Sequence, residues 1–344
     1  MKAMRLTAQR RIECCDIPTP ECKSSGDVLL RLKRVGVCGS DVHYFTTGRI
    51  GSMIVEYPFT LGHECSAEVA AVGDGVTRVR PGDRVAVDPA ISCGTCDQCR
   101  IGRRHTCRNL AFLGCPGQLE GCLSEYIVMP EASCYPIPDS LSFDDAAIAE
   151  PLSIGLYAVM QAGAIPNASI GILGAGPIGL SVLVCAKAFG AKFIGVTERL
   201  DYRANLALKN GADWARNVGE TDAVQEICAA VPEKLDVVFE CSGTQEAFDQ
   251  GIEMLKPGGK MMIIGIPEFD RYSFSADVAR RNEICLQHVR RQNECVQPAL
   301  NLIAENKVDA SFMNTHSFPL EKTQDAFELV ENYADGVVKA MITF

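Results

Sequence analysis

The sequence predicts an α/β chain of two domains, one built mainly of strands and one of strands alternating with helices. Three observations carry this. Up to Glu150-Pro151 the apolar residues alternate with polar ones or form short runs bounded by Gly, Pro or Asp. Beyond it, buried-looking strands alternate with stretches of helical period, the pattern of a parallel sheet. One of those strands ends in a glycine-rich turn that opens a helix. At 344 residues the chain is also long for a single hydrophobic core.

In chain order, VLLRLKRVGV at 28–37 alternates as a half-buried strand does, and the runs at 67–72, 84–88 and 123–128 read as further strands. The second part reads as strands at 169–173, 193–197, 236–240 and 260–264, with helices at 178–189 and 199–209 between them. After about residue 290 the character changes again. A helix at 296–305, a strand-like 311–318, a helix at 322–331 and a final VKAMITF are expected to return to the first domain.

A net charge of −10 argues against a nucleic-acid partner, because phosphate binding needs a basic surface that this chain lacks. No apolar run has the length of a signal peptide or a membrane span, so a soluble cytoplasmic protein with no membrane partner is expected. In a reducing compartment the 17 cysteines are expected to be metal ligands or small buried hydrophobes rather than disulfides, and the vicinal Cys14-Cys15 pair reads as packing or surface.

The turn at 174–179 reads Gly174-Ala175-Gly176-Pro177-Ile178-Gly179, following the strand IGIL and preceding an apolar helix. The first glycine permits the turn, the second lets a pyrophosphate approach the backbone, and the third lets helix and strand pack closely. The next strand ends at Glu198, where a carboxylate can accept hydrogen bonds from the adenosine ribose hydroxyls and repel a 2′-phosphate. NAD is therefore the expected cofactor, with Arg199 and Arg203 as the residues that could instead accommodate NADP.

Cys93, Cys96, Cys99 and Cys107 stand as C-x2-C-x2-C-x7-C in a Gly- and Arg-rich loop. Four thiolates at this spacing can close a tetrahedral zinc site, which has no open position and is therefore structural. An iron–sulfur cluster is the rival reading; the long last spacing, without a following proline, favours zinc. His105, inside the loop, is expected to be solvated.

Two dispersed segments offer a second ligand set: Cys38 in VGVCGSDVHYF, and His63 with Glu64 in LGHECSAEV. Spacing alone gives these little weight. Taken in order, C-G-S-D-V-H-Y, G-H-E, the four-cysteine loop, A-E-P-L-S-I-G and G-A-G-P-I-G resemble the zinc-containing medium-chain dehydrogenase family, in its sorbitol and xylitol dehydrogenase branch, over essentially the whole chain.

The resemblance implies a GroES-like, partly open β-barrel catalytic domain formed by 1–151 and 290–344, and a Rossmann coenzyme domain at 152–289, with the active site in the cleft at the carboxyl ends of the parallel strands. It implies a catalytic zinc on Cys38, His63 and Glu64, with Glu150 binding the metal or its water, and a proton relay through Ser40 and His43. Two zincs per chain, NAD, a polyol substrate and a homo-oligomer, tetramer or dimer, complete the expectation. Three protein ligands leave the open position that a catalytic zinc requires, and zinc acting as a Lewis acid lowers the pKa of an alcohol.

The chain departs from the family in places. Ala67 stands where the family has glycine. The stretch Val289-Arg290-Arg291-Gln292-Asn293 keeps an arginine at Arg291 but has Gln292 where the sorbitol branch has tyrosine, which leaves room for an acidic or phosphorylated polyol. Tyr44, Phe45, Phe112 and Arg291 are the candidate substrate residues. The run Gly102-Arg103-Arg104-His105 also resembles threonine 3-dehydrogenase. A sugar-alcohol phosphate dehydrogenase and a non-enzymatic NAD- and zinc-binding sensor or structural subunit complete the alternatives.

Overall fold

The computed structural model describes residues 1–163 and 165–344. The chain divides into two compact units: Met1–Glu150 with Val296–Asn306 and Ala310–Phe344, and Pro151–Cys295 with Lys307–Asp309.

In the first unit the alternating run at 28–37 is the long strand Asp27–Gly36. It lies inside a seven-stranded sheet that runs Cys134–Pro136, Arg84–Val87, Glu64–Val72, Asp27–Gly36, Lys339–Thr343 and Asn314–Pro319, with Tyr126–Pro130 also paired to Asp27–Gly36. All these pairs are antiparallel except the last two strands of the order, which are parallel. The carboxyl-terminal run VKAMITF therefore joins the sheet of the first unit, as its three-residue pairing with Arg34, Val35 and Gly36 shows.

The helix Gly39–Thr47 had no periodic signal in the sequence. It is anchored by Phe45, which is fully buried against Phe327 of helix Thr323–Glu331 with ring centroids 5.4 Å apart. Such a pair adds about 0.5–1.5 kcal/mol beyond the area it buries.

The second unit holds a six-stranded, wholly parallel sheet in the order Trp214–Asn217, Phe193–Glu198, Ser169–Leu173, Leu235–Glu240, Leu255–Ile263, Cys285–His288. Numbered along the chain this order is 3-2-1-4-5-6, the doubly wound dinucleotide-binding arrangement. Its strand order reverses beside Ser169–Leu173. Among the described residues no helix is long and apolar enough to cross a membrane.

Candidate active site and metal centres

Strand register assembles the dispersed ligand set. Gly36 is paired with Glu64 and Val35 with Cys65, so Cys38, two residues beyond one strand, meets His63 and Glu64 at the start of the other. The ligand atoms of Cys38, His63 and Glu64 all lie within 4.8 Å of one another. Gly36 leaves room for this carboxylate: a Cβ there would stand 2.3 Å from Glu64 Oε2, so any other residue would force the carboxylate to move.

Each of these residues has a partner behind it. Asp41 is fully buried and receives Gly62 N–H at Oδ1 (3.2 Å) and Cys38 N–H at Oδ2 (3.4 Å), while its Oδ1 lies 3.4 Å from His63 Nδ1. A carboxylate on the far ring nitrogen fixes a metal-binding imidazole in one orientation and tautomer. Burial disfavours a charged His63, yet Asp41 and Cys38 outweigh it and hold its pKa well above the ordinary value. The Ser40 hydroxyl donates to Cys38 Sγ at 3.3 Å, and the ring of Phe112 packs on His63 with centroids 5.3 Å apart.

Glu64 is held by Lys339, which the sequence analysis missed. Its Nζ donates to Glu64 Oε1 (2.8 Å) and Oε2 (2.6 Å), with both side chains almost completely buried. Burial opposes the ammonium form, but Glu64, Cys38 and Glu150 prevail and raise its pKa. Removing one member of such a buried pair costs about 3–5 kcal/mol, because the other charge stays behind without compensation. Glu150 is buried as well. Burial pushes its carboxyl up to about 7, with His63 and Lys339 pulling it down and Glu64 and Asp88 pushing it up, so it shares the field of the ligand set.

The helix Gly39–Thr47 carries Ser40 and His43, both half-buried and three positions apart, hence on one face. Tyr44 is buried, its hydroxyl 3.8 Å from Cys115 Sγ. Phe45 faces the core on Phe327, away from any pocket role.

The four-cysteine loop is equally well formed. Cys93, Cys96, Cys99 and Cys107 present their sulfurs within 4.8 Å of one another, with Cys96 Sγ 3.5 Å from Cys99 Sγ and 3.8 Å from Cys107 Sγ. Four sulfurs at zinc–sulfur bonding distance in a tetrahedron stand about 3.8 Å apart, so these residues fit a zinc ion. His105 is 5% exposed, which corrects the expectation of a solvated side chain: the short 3₁₀ turn Arg104–Thr106 carries it inward.

In the second unit, the first glycine of the turn, Gly174, has φ +100 and could carry a side chain only with strain. A Cβ on Gly179 would lie 1.9 Å from the Gly174 carbonyl oxygen, so only glycine lets the helix Pro177–Ala188 sit on its strand. At Gly176 a Cβ would meet only Arg203 Nη1, at 3.8 Å, which leaves the N-terminus of that helix open to a phosphate. Pro177 occupies its first turn and Ile178 is half-buried beside it. The Glu198 carboxylate accepts from Ala175 N–H at 2.7 Å and from Arg199 and Leu200 N–H at 2.7 and 3.1 Å, which holds it against the glycine turn. Arg203 is buried.

Arg290 is exposed, and Arg291 is half-buried with φ 54. Gln292 is buried and accepts Cys295 N–H at 2.7 Å, a backbone-capping role. Among the described residues, none of the 17 cysteines is in a disulfide.

Two family models match the chain, the alcohol dehydrogenase GroES-like domain over residues 24–139 and the zinc-binding dehydrogenase domain over 177–305. The sorbitol dehydrogenase of Bacillus subtilis is 37% identical over 99% of this chain and 97% of its own length. An L-idonate 5-dehydrogenase of Vitis vinifera is 34% identical over 90% of this chain and 85% of its own. Among solved structures, an Escherichia coli oxidoreductase of unknown specificity superposes with a TM-score of 0.94 at 30% identity, covering 99% of this chain and 98% of that one. With its wholly parallel 3-2-1-4-5-6 sheet, its cysteine loop and its Cys-His-Glu set, the chain belongs to the zinc-containing medium-chain dehydrogenase family, in the sorbitol dehydrogenase branch.

Proposed function

We propose that this chain oxidises a secondary alcohol of a polyol to the ketone: polyol + NAD⁺ → ketose + NADH + H⁺. The observation that supports this most is the convergence of Cys38, His63 and Glu64 in a chain that also carries the dinucleotide turn. In this reading Cys38, His63 and Glu64 hold a catalytic zinc, Glu150 binds the metal or its water, and the four loop cysteines hold a second, structural zinc. Bound zinc supplies the Lewis acidity that makes the substrate hydroxyl a stronger acid.

The chain's own residues do the rest. Ser40, whose hydroxyl lies beside Cys38 Sγ, accepts the alcohol proton and passes it to His43, since a hydroxyl both accepts and donates and an imidazole ring nitrogen can take up a proton. Gly174, Gly176, Pro177, Ile178 and Gly179 hold the cofactor's pyrophosphate. Glu198 binds the adenosine ribose and favours NAD over NADP, with Arg203 alongside. Tyr44, Phe112 and Arg291 contact substrate. The chain acts in the cytoplasm as a homo-oligomer, and native mass measurement tests the assembly.

A second reading is favoured by the adjacent Arg290 and Arg291 and by the L-idonate relative: a polyol bearing a carboxylate or phosphate, which a pair of guanidinium groups would bind. The test is a spectroscopic panel of the zinc-loaded enzyme against polyols, sugar acids, polyol phosphates and L-threonine, each with NAD⁺ and NADP⁺. Reduced cofactor with a neutral polyol and NAD⁺ is expected. Its absence with every secondary alcohol would overturn the reading, and a preference for the anionic polyols would select the second.

A further inference from the structure

Lys339 is the least expected residue near the ligand set. A lysine in an apolar carboxyl-terminal strand ordinarily points to solvent, yet this one is 1% exposed. Register fixes it there: Met341 pairs with Gly36 and Ile342 with Val35, and Val37 N–H donates to the Ala340 carbonyl at 2.9 Å. Its three ammonium protons have three acceptors, the two oxygens of Glu64 and the Val37 carbonyl at 3.2 Å. Both oxygens of a proposed metal ligand are thus already engaged by a fixed positive charge.

We propose that Lys339 is a positioning residue of the metal centre: it holds the Glu64 carboxylate over Gly36 and competes with the metal for its charge. The inference rests on the reading of Cys38, His63 and Glu64 as a metal site. Two cations that share one carboxylate each weaken the other's hold on it, and this coupling is reciprocal. The consequence is a metal bound less tightly, and left more electrophilic, than the same three ligands would give alone. A lysine that served only to stabilise the fold would act in the opposite sense, because its loss would distort the ligands and weaken metal binding.

The experiment measures zinc affinity of the full chain by competition with a chromophoric chelator. It follows the zinc that is missing from a Cys38→Ser protein, so a Cys38→Ser protein that retains all its zinc would refute the metal-site reading independently of Lys339. In Lys339→Met this zinc is expected to bind about fivefold or more tightly, within the usual range of coupled sites. Lys339→Arg keeps the charge and stays near wild type, and the Lys339→Met effect vanishes in a Glu64→Gln background. The thermal midpoint of Lys339→Met rises more on adding zinc than that of wild type, because the stripped protein loses the pair while the loaded protein keeps a cation on Glu64.

Unchanged or weaker zinc binding in Lys339→Met, or an effect that survives Glu64→Gln, would overturn the proposal. Should Lys339→Met not fold when stripped, folding rescued by zinc supports the proposal. Failure of both Lys339→Met and Lys339→Gln to fold even with saturating zinc overturns it, since the metal's charge is claimed to replace the lysine's.

Discussion

The two metal constellations of this chain are built in opposite ways. The loop set is local: four cysteines within 15 positions, on a Gly- and Arg-rich loop with two short helical turns, Asp97–Arg100 and Arg104–Thr106, inside it. The Cys38 set is assembled from afar: the start of one helix, the start of a strand, and a lysine 275 positions from the carboxylate it holds. The loop site presents thiols only, a closed set. In the other, imidazole and carboxylate are each backed by a charged residue, Asp41 behind His63 and Lys339 behind Glu64. A site that closes on itself needs only spacing, whereas one that must leave a position open needs its ligands held from outside.

Removing a ligand from each site tests this contrast most severely. Cys38→Ser is expected to lower kcat/KM by on the order of 1000-fold, the several kcal/mol that a Lewis acid contributes. Metal analysis should then show one zinc per chain remaining, with the fold kept by circular dichroism. Cys107→Ser should instead act on stability. Loss of a structural metal is expected to cost about 3 kcal/mol, or roughly 10 °C in the thermal midpoint, while the Cys38 zinc stays bound. If both variants lost both metals, the two sites would be a single cooperative unit and the contrast would fall.

A pair of aspartates sharpens the same comparison. Asp41→Asn removes the buried carboxylate behind His63 and is expected to cost about 10–100-fold in zinc affinity at that site, read by chelator competition. Asp97, in the loop, is exposed and pairs with Arg108, whose Nη2 donates to it at 2.8 Å. Hydrogen bonds from Arg108 and Gln98 hold its carboxyl well below the usual range. A group whose pKa is depressed on folding contributes stability that is present above the ordinary carboxylate pKa and fades as pH falls through the folded value. Asp97→Asn should therefore produce only a small loss near neutrality, absent in strong acid and suppressed by salt, measured by thermal melts across pH and ionic strength. A large, salt-independent effect would show that the loop too is held from outside.

Much of the fold was readable in the sequence. The strands at Ser169–Leu173 and Phe193–Glu198, the glycine turn and the helix after it obey local rules, and so does the cysteine loop. The Cys38 set was readable only through its resemblance to a family, because its geometry is a matter of strand register, which no window of sequence contains. Asp41 carried a signal that went unused: an acidic residue three positions after Cys38 that reaches back to the amide opening the helix. Lys339 carried almost none. A lysine in an apolar strand reads as a surface residue until its cross-strand neighbour is known. His105 and Phe45 lie deeper than their local sequence suggests for a related reason, since burial depends on which face a turn or helix presents to distant elements.

The vacant side of Gly36 bears on any attempt to transplant this site. Copying Cys38, His63 and Glu64 into another scaffold would reproduce the donor atoms but not the room around Glu64, because a single methyl group at the paired position would stand 2.3 Å from its carboxylate oxygen and push it aside. The minimal portable unit is therefore a stretch of two-stranded sheet with a hydrogen at one crossing, and a graft that omitted it would present the third ligand displaced from the position it holds here.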